Sequence, residues 1–182
     1  MAAVLAGELL LVSNFFEFFV LRFGSFGANA TAGEYAFVAG FFLLTALLCL
    51  LGLVGLYVGH AKPAGRLGLP AFLMAFVGTT LVTGVFWPQE FFAPIVAGVD
   101  PESLDSRRAE WLNLGFAASF FLFVLGWVLF GASTLRARVH PRWAAVLLMV
   151  GAVLVVFPLP ASSVVFGTAV IWLSLSLFAG KG

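Results

Sequence analysis

From Tyr35 to Gly59 the chain runs 25 residues without a charged side chain. As an α-helix that stretch rises about 37 Å, and roughly 20 apolar residues are enough to cross the hydrocarbon core of a bilayer. Five more apolar stretches accompany it. Together the segments cover residues 3–21, 35–59, 67–87, 111–135, 143–157 and 161–179. None alternates polar and apolar residues over about ten positions, as the strands of a membrane β-barrel do. The expected fold is therefore all-α, a polytopic transmembrane bundle of six helices forming a single domain over residues 1–182. Two segments are weaker than the rest. The fifth is short and stops at Pro158-Leu159-Pro160, and the first carries Glu8, Asn14 and Glu17.

Composition excludes the main alternatives. Hydrophobic residues make up 63% of the chain and charged residues 9%, against roughly 25% charged in soluble domains. A soluble chain this apolar would lack the polar surface to cover itself. The net charge of +1 gives no basic footprint, so no nucleic-acid partner is expected. The single cysteine, Cys49, cannot form an intrachain disulfide or a CxxC pair. In the middle of an apolar run it reads as a small buried hydrophobe.

The connections set the orientation. Lys62 and Arg66 lie between the second and third segments, Arg136, Arg138 and Arg142 between the fourth and fifth, and Lys181 after the sixth. The long connection over residues 88–110 carries Glu90, Asp100, Glu102, Asp105 and Glu110 against Arg107 and Arg108. Short basic loops stay on the cytoplasmic side. Six crossings put every basic loop and both termini there and the acidic loop outside, with Arg22 as the one basic residue left over. The first segment lacks a basic leader and holds two acids, so it reads as a retained helix in spite of the small-x-small triplet Ala28-Asn29-Ala30. Asn29-Ala30-Thr31 also matches a glycosylation sequon.

Within the outer connection, Asp100-Pro101-Glu102 is a helix start: a capping acid, proline at the first helical position, then an acid in the first turn. A helix from residue 101 running on into the fourth segment would exceed the bilayer, so it must protrude, bend or break near Asn113. The stretch Glu90 to Val96 is apolar but too short to span, which suits an interfacial segment or a lid. The second and third segments, and again the fourth and fifth, share one plan of two apolar helices around a basic turn, as a parallel repeat would.

Polar residues inside the segments are the candidate ligand- or ion-binding set. An acid at membrane depth costs a few kcal/mol and needs a partner, water or a proton. Glu8 and Glu17 fall on opposite faces of the first segment, while Ser13, Asn14 and Glu17 share one. Glu17 with Asn14 is the sharper candidate. Both acids also lie near segment ends, where they can reach headgroups. Thr79 and Thr83 share a face of the third segment, near Thr80; they suit either a hydroxyl lining or bonds back to their own helix. Gly52, Gly55 and Gly59, with a GxxxG at the last two, and the pair Gly115 and Ser119, are packing signals where backbones approach closely. His60 and His140 sit at expected inner helix ends beside the basic turns, so they read as helix-end residues rather than haem ligands. No catalytic or metal-binding signature of the common hydrolase, deaminase or nucleotide-binding types occurs, and no cofactor is expected. Trp87, Trp111 and Trp143 lie at expected interfaces. Phe15, Phe16, Phe18 and Phe19 ring the first segment and suit lipid, a partner subunit or a hydrophobic ligand.

The stretch Gly55-Leu56-Tyr57 with Gly65-Arg66-Leu67-Gly68, followed by Gly126-Trp127, Arg136 and Pro141-Arg142-Trp143-Ala144-Ala145, resembles a broad set of small, uncharacterised multi-pass bacterial membrane proteins. The resemblance covers about half of the chain. It implies a compact helical bundle in a bacterial inner membrane and carries over no functional residue.

Three functions fit these features to different degrees. The leading expectation is a non-enzymatic bundle serving as a structural or accessory subunit, or holding a hydrophobic ligand. Its partners would be membrane lipid and other membrane subunits or copies of itself. The alternative is a small oligomeric transporter or channel using Glu17 and Asn14 with the threonines of the third segment. A membrane enzyme acting on lipid at the acidic loop ranks last, because that acid spacing is the one a capped helix produces.

Overall fold

A computed structural model describes residues 1–19, 26–105, 110–157 and 162–179. Among the described residues the chain is all-helical, with no strand. The helices are α1 (Ala2–Phe19), α2 (Phe26–Ala30), α3 (Gly33–Ala64), α4 (Gly68–Phe91), α5 (Ala93–Val99), α6 (Pro101–Asp105), α7 (Glu110–Ala137), α8 (Arg142–Leu154) and α9 (Ser162–Ala179). Three stretches are long and apolar enough to cross a membrane: Gly33–Gly59, Ala61–Val99 and Leu114–Ala137. Shorter apolar helices cover Ala2–Phe16, Arg142–Leu154 and Ser163–Leu177.

The longer helices pack as a closed ring. Around it the order is α1, α3, α4, α7, α8 and α9, and α9 returns to contact α1. Neighbours are antiparallel. Ala3 meets Gly52 while Phe16 stacks on Phe41, which runs α1 against α3. Tyr57 stacks on Phe72 and Phe42 on Phe86, which runs α3 against α4. Gly126 lies on Ala75 and Gly78 on Phe123, which runs α4 against α7. α3 also leans across the ring to touch α7 and α9. The middle is filled by Trp127, Phe130, Phe166, Leu53, Leu148 and Leu173, all essentially inaccessible to solvent.

Side-chain size is distributed inside out relative to a soluble protein. Roughly half of the buried apolar residues are alanines, whereas Phe15, Leu51, Val58, Phe121 and Trp143 are more than half exposed. Small residues at the contacts let helix backbones approach where no hydrophobic effect drives them together, and large side chains are left to face an apolar surround. The closest approach is between α4 and α7. A Cβ on Gly126 would stand 2.4 Å from the Ala75 nitrogen, and one on Gly78 2.5 Å from the Phe123 backbone. Only a residue without a Cβ fits at that distance.

The turns explain where the helices end. α3 continues past Gly59 and carries Pro63 inside its last turn. It stops at Gly65, whose φ of +60° turns the chain, and a single turn of 3-10 helix over Gly65–Leu67 leads into α4. α7 ends close to Arg138, a non-glycine residue at φ 55°. α4 likewise runs through Pro88, beyond the expected segment, to Phe91. The stretch from Glu90 to Val96 that suited a lid is divided: Glu90 and Phe91 end α4, and Ala93 begins α5, which packs with α2, α6 and the end of α4. Ala30, Tyr35, Ala39, Ala93 and Ala97 form a second small core there, with Phe26 and Leu104 against it. The expected start at Pro101 opens the short α6, where the Ser103 hydroxyl donates to the Asp100 carbonyl at 2.8 Å. Residues 106–109, which would join α6 to α7, lie outside the described residues.

The antiparallel order sorts charge by end. The turn after α3 with Lys62 and Arg66 and the turn after α7 with Arg138 and Arg142 lie at one end of the ring, and α1 starts on that side, level with Gly52. Glu34, Glu90, Asp100 and Glu102 lie at the other, with α2, α5 and α6.

Candidate functional site

The polar groups of the interior fall into two sets. The first centres on Trp127 of α7. Its indole Nε1 donates to the Thr79 hydroxyl of α4 at 2.9 Å, and that hydroxyl donates to the Ala75 carbonyl at 2.7 Å. Thr79 thus serves as acceptor and donor at once, and neither group is left to be buried alone. The Trp127 ring packs edge-on against Phe166 at 5.0 Å and Phe130 at 5.8 Å, with Phe123 at 6.1 Å. Thr83 donates to the Thr79 carbonyl at 2.8 Å, and exposed Thr80 to the Phe76 carbonyl at 2.8 Å.

The second set joins α1 to α9. Ser13 is fully buried and donates to the Leu9 carbonyl at 2.7 Å. Asn14, also buried, donates through Nδ2 to the Ser163 hydroxyl. Ser13 and Asn14 are thus both held, one by its own helix and one by the neighbour. The side chain of Glu17 lies outside the described residues, so its place relative to Asn14 is not described. Glu8 points the other way: it is exposed on the outer surface of the ring. Thr79 and Thr83 of α4 and the polar pair of α1 therefore do not share one site; they serve different helix contacts.

The packing residues divide similarly. Gly52 lies against Ala3 and Gly59 against Leu177, so α3 uses these two to receive α1 and α9. Gly55 and Gly115 face open space. Ser119 is buried and donates to the Gly115 carbonyl at 2.8 Å. The side chain of His60 lies outside the described residues. His140 lies just past the end of α7, as expected, and is buried, with its Nδ1 2.6 Å from the Ser176 hydroxyl of α9. Cys49 is buried within the apolar core, and burial among apolar groups keeps a thiol inert.

Two polar groups carry no signal in the sequence. Glu90, near the end of α4, folds against Gly40, with both carboxylate oxygens 3.6 Å from where a Cβ there would stand. Its Oε2 is buried and finds no hydrogen-bond partner among the described residues. Thr45 of α3 is buried with its hydroxyl likewise unpartnered among them. The sequence placed Glu90 in the acidic connection; only the continuation of α4 through Pro88 turns it toward α3. The Trp127–Thr79 pair is also missing from the sequence reading, since its members are 48 residues apart. Among the described residues no group of three or more His, Cys, Asp or Glu side chains is placed to hold a metal ion. No protein-family model, curated protein or solved structure matches this chain.

Proposed function

We propose that the chain is an integral membrane protein of a bacterial inner membrane, crossing it six times with both termini in the cytoplasm. In it the protein acts without catalysis as a structural or accessory subunit, or as the holder of a hydrophobic ligand. The apolar exterior and the three long apolar helices support the membrane setting. The separation of basic turns from acidic ends supports the orientation.

One observation carries the functional reading. The centre of the ring is plugged by Trp127, Phe130 and Phe166, and the Thr79 hydroxyl beside them is engaged with the indole and with the Ala75 carbonyl. A conducting path or polar substrate site needs groups held ready for a ligand and room beside them. Here the large surfaces left for recognition are the outer faces of the helices. A protein built this way works by what it packs against.

Native mass spectrometry on the protein, gently solubilised from its own membranes, tests the reading. A discrete added mass of subunit or lipid-like ligand is expected. A bare chain that conducts ions or solutes in liposomes, with the flux abolished by Glu17→Gln at unchanged folding, would overturn it in favour of a transporter.

A further inference from the structure

Glu8 is an acid on the wrong side of its helix. Ala3 lies on Gly52 and Phe16 against Phe37 and Phe41, so antiparallel α1 sets Glu8 level with about Leu47 of α3. That is 15 residues, or about 22 Å, from Lys62, and 13 residues, or about 20 Å, from Glu34. Glu8 is thus near the middle of the longest helix of the ring, beyond the reach of its own side chain to either end. It is exposed, and it makes no hydrogen bond or ion pair among the described residues. Its surroundings are apolar: Leu5, Val12 and Phe15 share its stripe on α1, and Leu47 and Leu51 lie at about its height on α3, all exposed.

In a bilayer this arrangement is unstable as it stands. A carboxylate facing lipid in the central region is costly and needs a partner, water or a proton. Every other described polar side chain discussed above turns inward or bonds its own backbone, whereas Glu8 alone is directed outward at this depth. The spacing of Leu5, Glu8, Val12 and Phe15 alternates three and four residues, which is the seam one helix offers another. A second copy of the chain would bring one Glu8 toward another, two like charges. The described basic side chains Lys62, Arg66, Arg136, Arg138 and Arg142 lie toward the opposite charge-bearing end, not at this height.

We propose that this stripe of α1 docks a transmembrane helix of a different protein, one that carries a lysine or arginine near the middle of its span to pair with Glu8. The inference rests on the accessory-subunit reading and names its contact. Charge complementarity selects the occupant: the cation removes the cost of the buried acid, and the apolar residues on either side bury the rest of the helix.

The probe is a polyleucine transmembrane peptide of about 23 residues with one central lysine, beside its all-leucine counterpart. Each is reconstituted with the fluorescently labelled full chain in phosphatidylcholine vesicles and followed by energy transfer. The lysine peptide is expected to associate about ten-fold more tightly than the all-leucine one. Glu8→Leu brings the two peptides level, and Glu8→Gln keeps only part of the preference. Both variants retain helix content and elution volume, since the side chain is exposed and makes no hydrogen bond or ion pair among the described residues. Equal association of the two peptides, or a preference that survives Glu8→Leu, overturns the proposal. So does energy transfer between two labelled copies of the chain that Glu8→Leu removes, which would make the occupant a second copy. If accessory binding instead uses another face, native mass spectrometry shows the same added subunit in the wild type and in Glu8→Leu, and only the docking site fails.

Discussion

Replacing Gly126 with alanine tests the ring at its tightest point. The new Cβ would stand 2.4 Å from the Ala75 nitrogen and 2.5 Å from its Cα, both backbone atoms that no side-chain rotation can move. Ordinary contact lies beyond 3.4 Å, so α4 and α7 must part by about 1 Å along this seam. A gap of about that size forfeits a quarter to a half of each dispersion contact across it, and overpacking of this kind costs about 1–3 kcal/mol. Gly55→Ala is the matched control. Its Cβ enters open space, and alanine in a helix interior gains up to about 1 kcal/mol over glycine. Gly126→Ala gains the same propensity, so the two variants are expected to differ by the packing cost, about 1–3 kcal/mol, with Gly126→Ala the weaker. Thermal unfolding in a mild detergent, read by helix signal and by the elution of surviving monodisperse protein, measures the difference. A Gly126→Ala protein as stable as Gly55→Ala would mean that α4 and α7 do not meet at this distance, and the ring order built on that contact would fall with it.

Other substitutions probe the interior polar groups. Thr79→Val keeps the volume but leaves the Trp127 Nε1 proton buried without its acceptor, so a loss of about 1–3 kcal/mol is expected in the same unfolding assay; Thr79→Ser retains the acceptor and loses less. Thr45→Val removes a buried hydroxyl that has no partner among the described residues, and the variant is expected to be as stable as the wild type or about 1 kcal/mol more so. Cys49 is buried, so a maleimide added to the folded protein is expected to leave it unmodified over a time in which the denatured chain labels fully; rapid labelling of the folded protein would place α3 with a different face inward.

The helical class was legible because it follows from the length of apolar runs, a property that survives any arrangement of neighbours. Helix ends were less legible for a specific reason. Lys62 and Arg66 mark the end of the apolar run of α3, but charge does not stop a helix. The backbone continues through Pro63 until Gly65 reaches φ +60°. Pro88 misled in the same way, since α4 carries it and so brings Glu90 against Gly40. Among the packing glycines, a GxxxG spacing places two small residues on one face without saying which face meets a helix. Here Gly52 and Gly59, seven residues apart, are used, and Gly55 between them is not.

The polar residues of α1 show where a sequence stops informing. Ser13, Asn14 and Glu8 look alike as polar interruptions of an apolar segment. Helical spacing separates them into faces but does not orient those faces. The orientation comes from α9, whose Ser163 takes the Asn14 amide and so turns that face inward. α1 and α9 are the first and last helices of the ring, and their contact closes it. Closure then has a consequence for Glu8. Once Asn14 faces α9 and Gly52 receives Ala3, the face of α1 left exposed carries Leu5, Glu8, Val12 and Phe15, and it is there that the proposed partner helix would answer the acid.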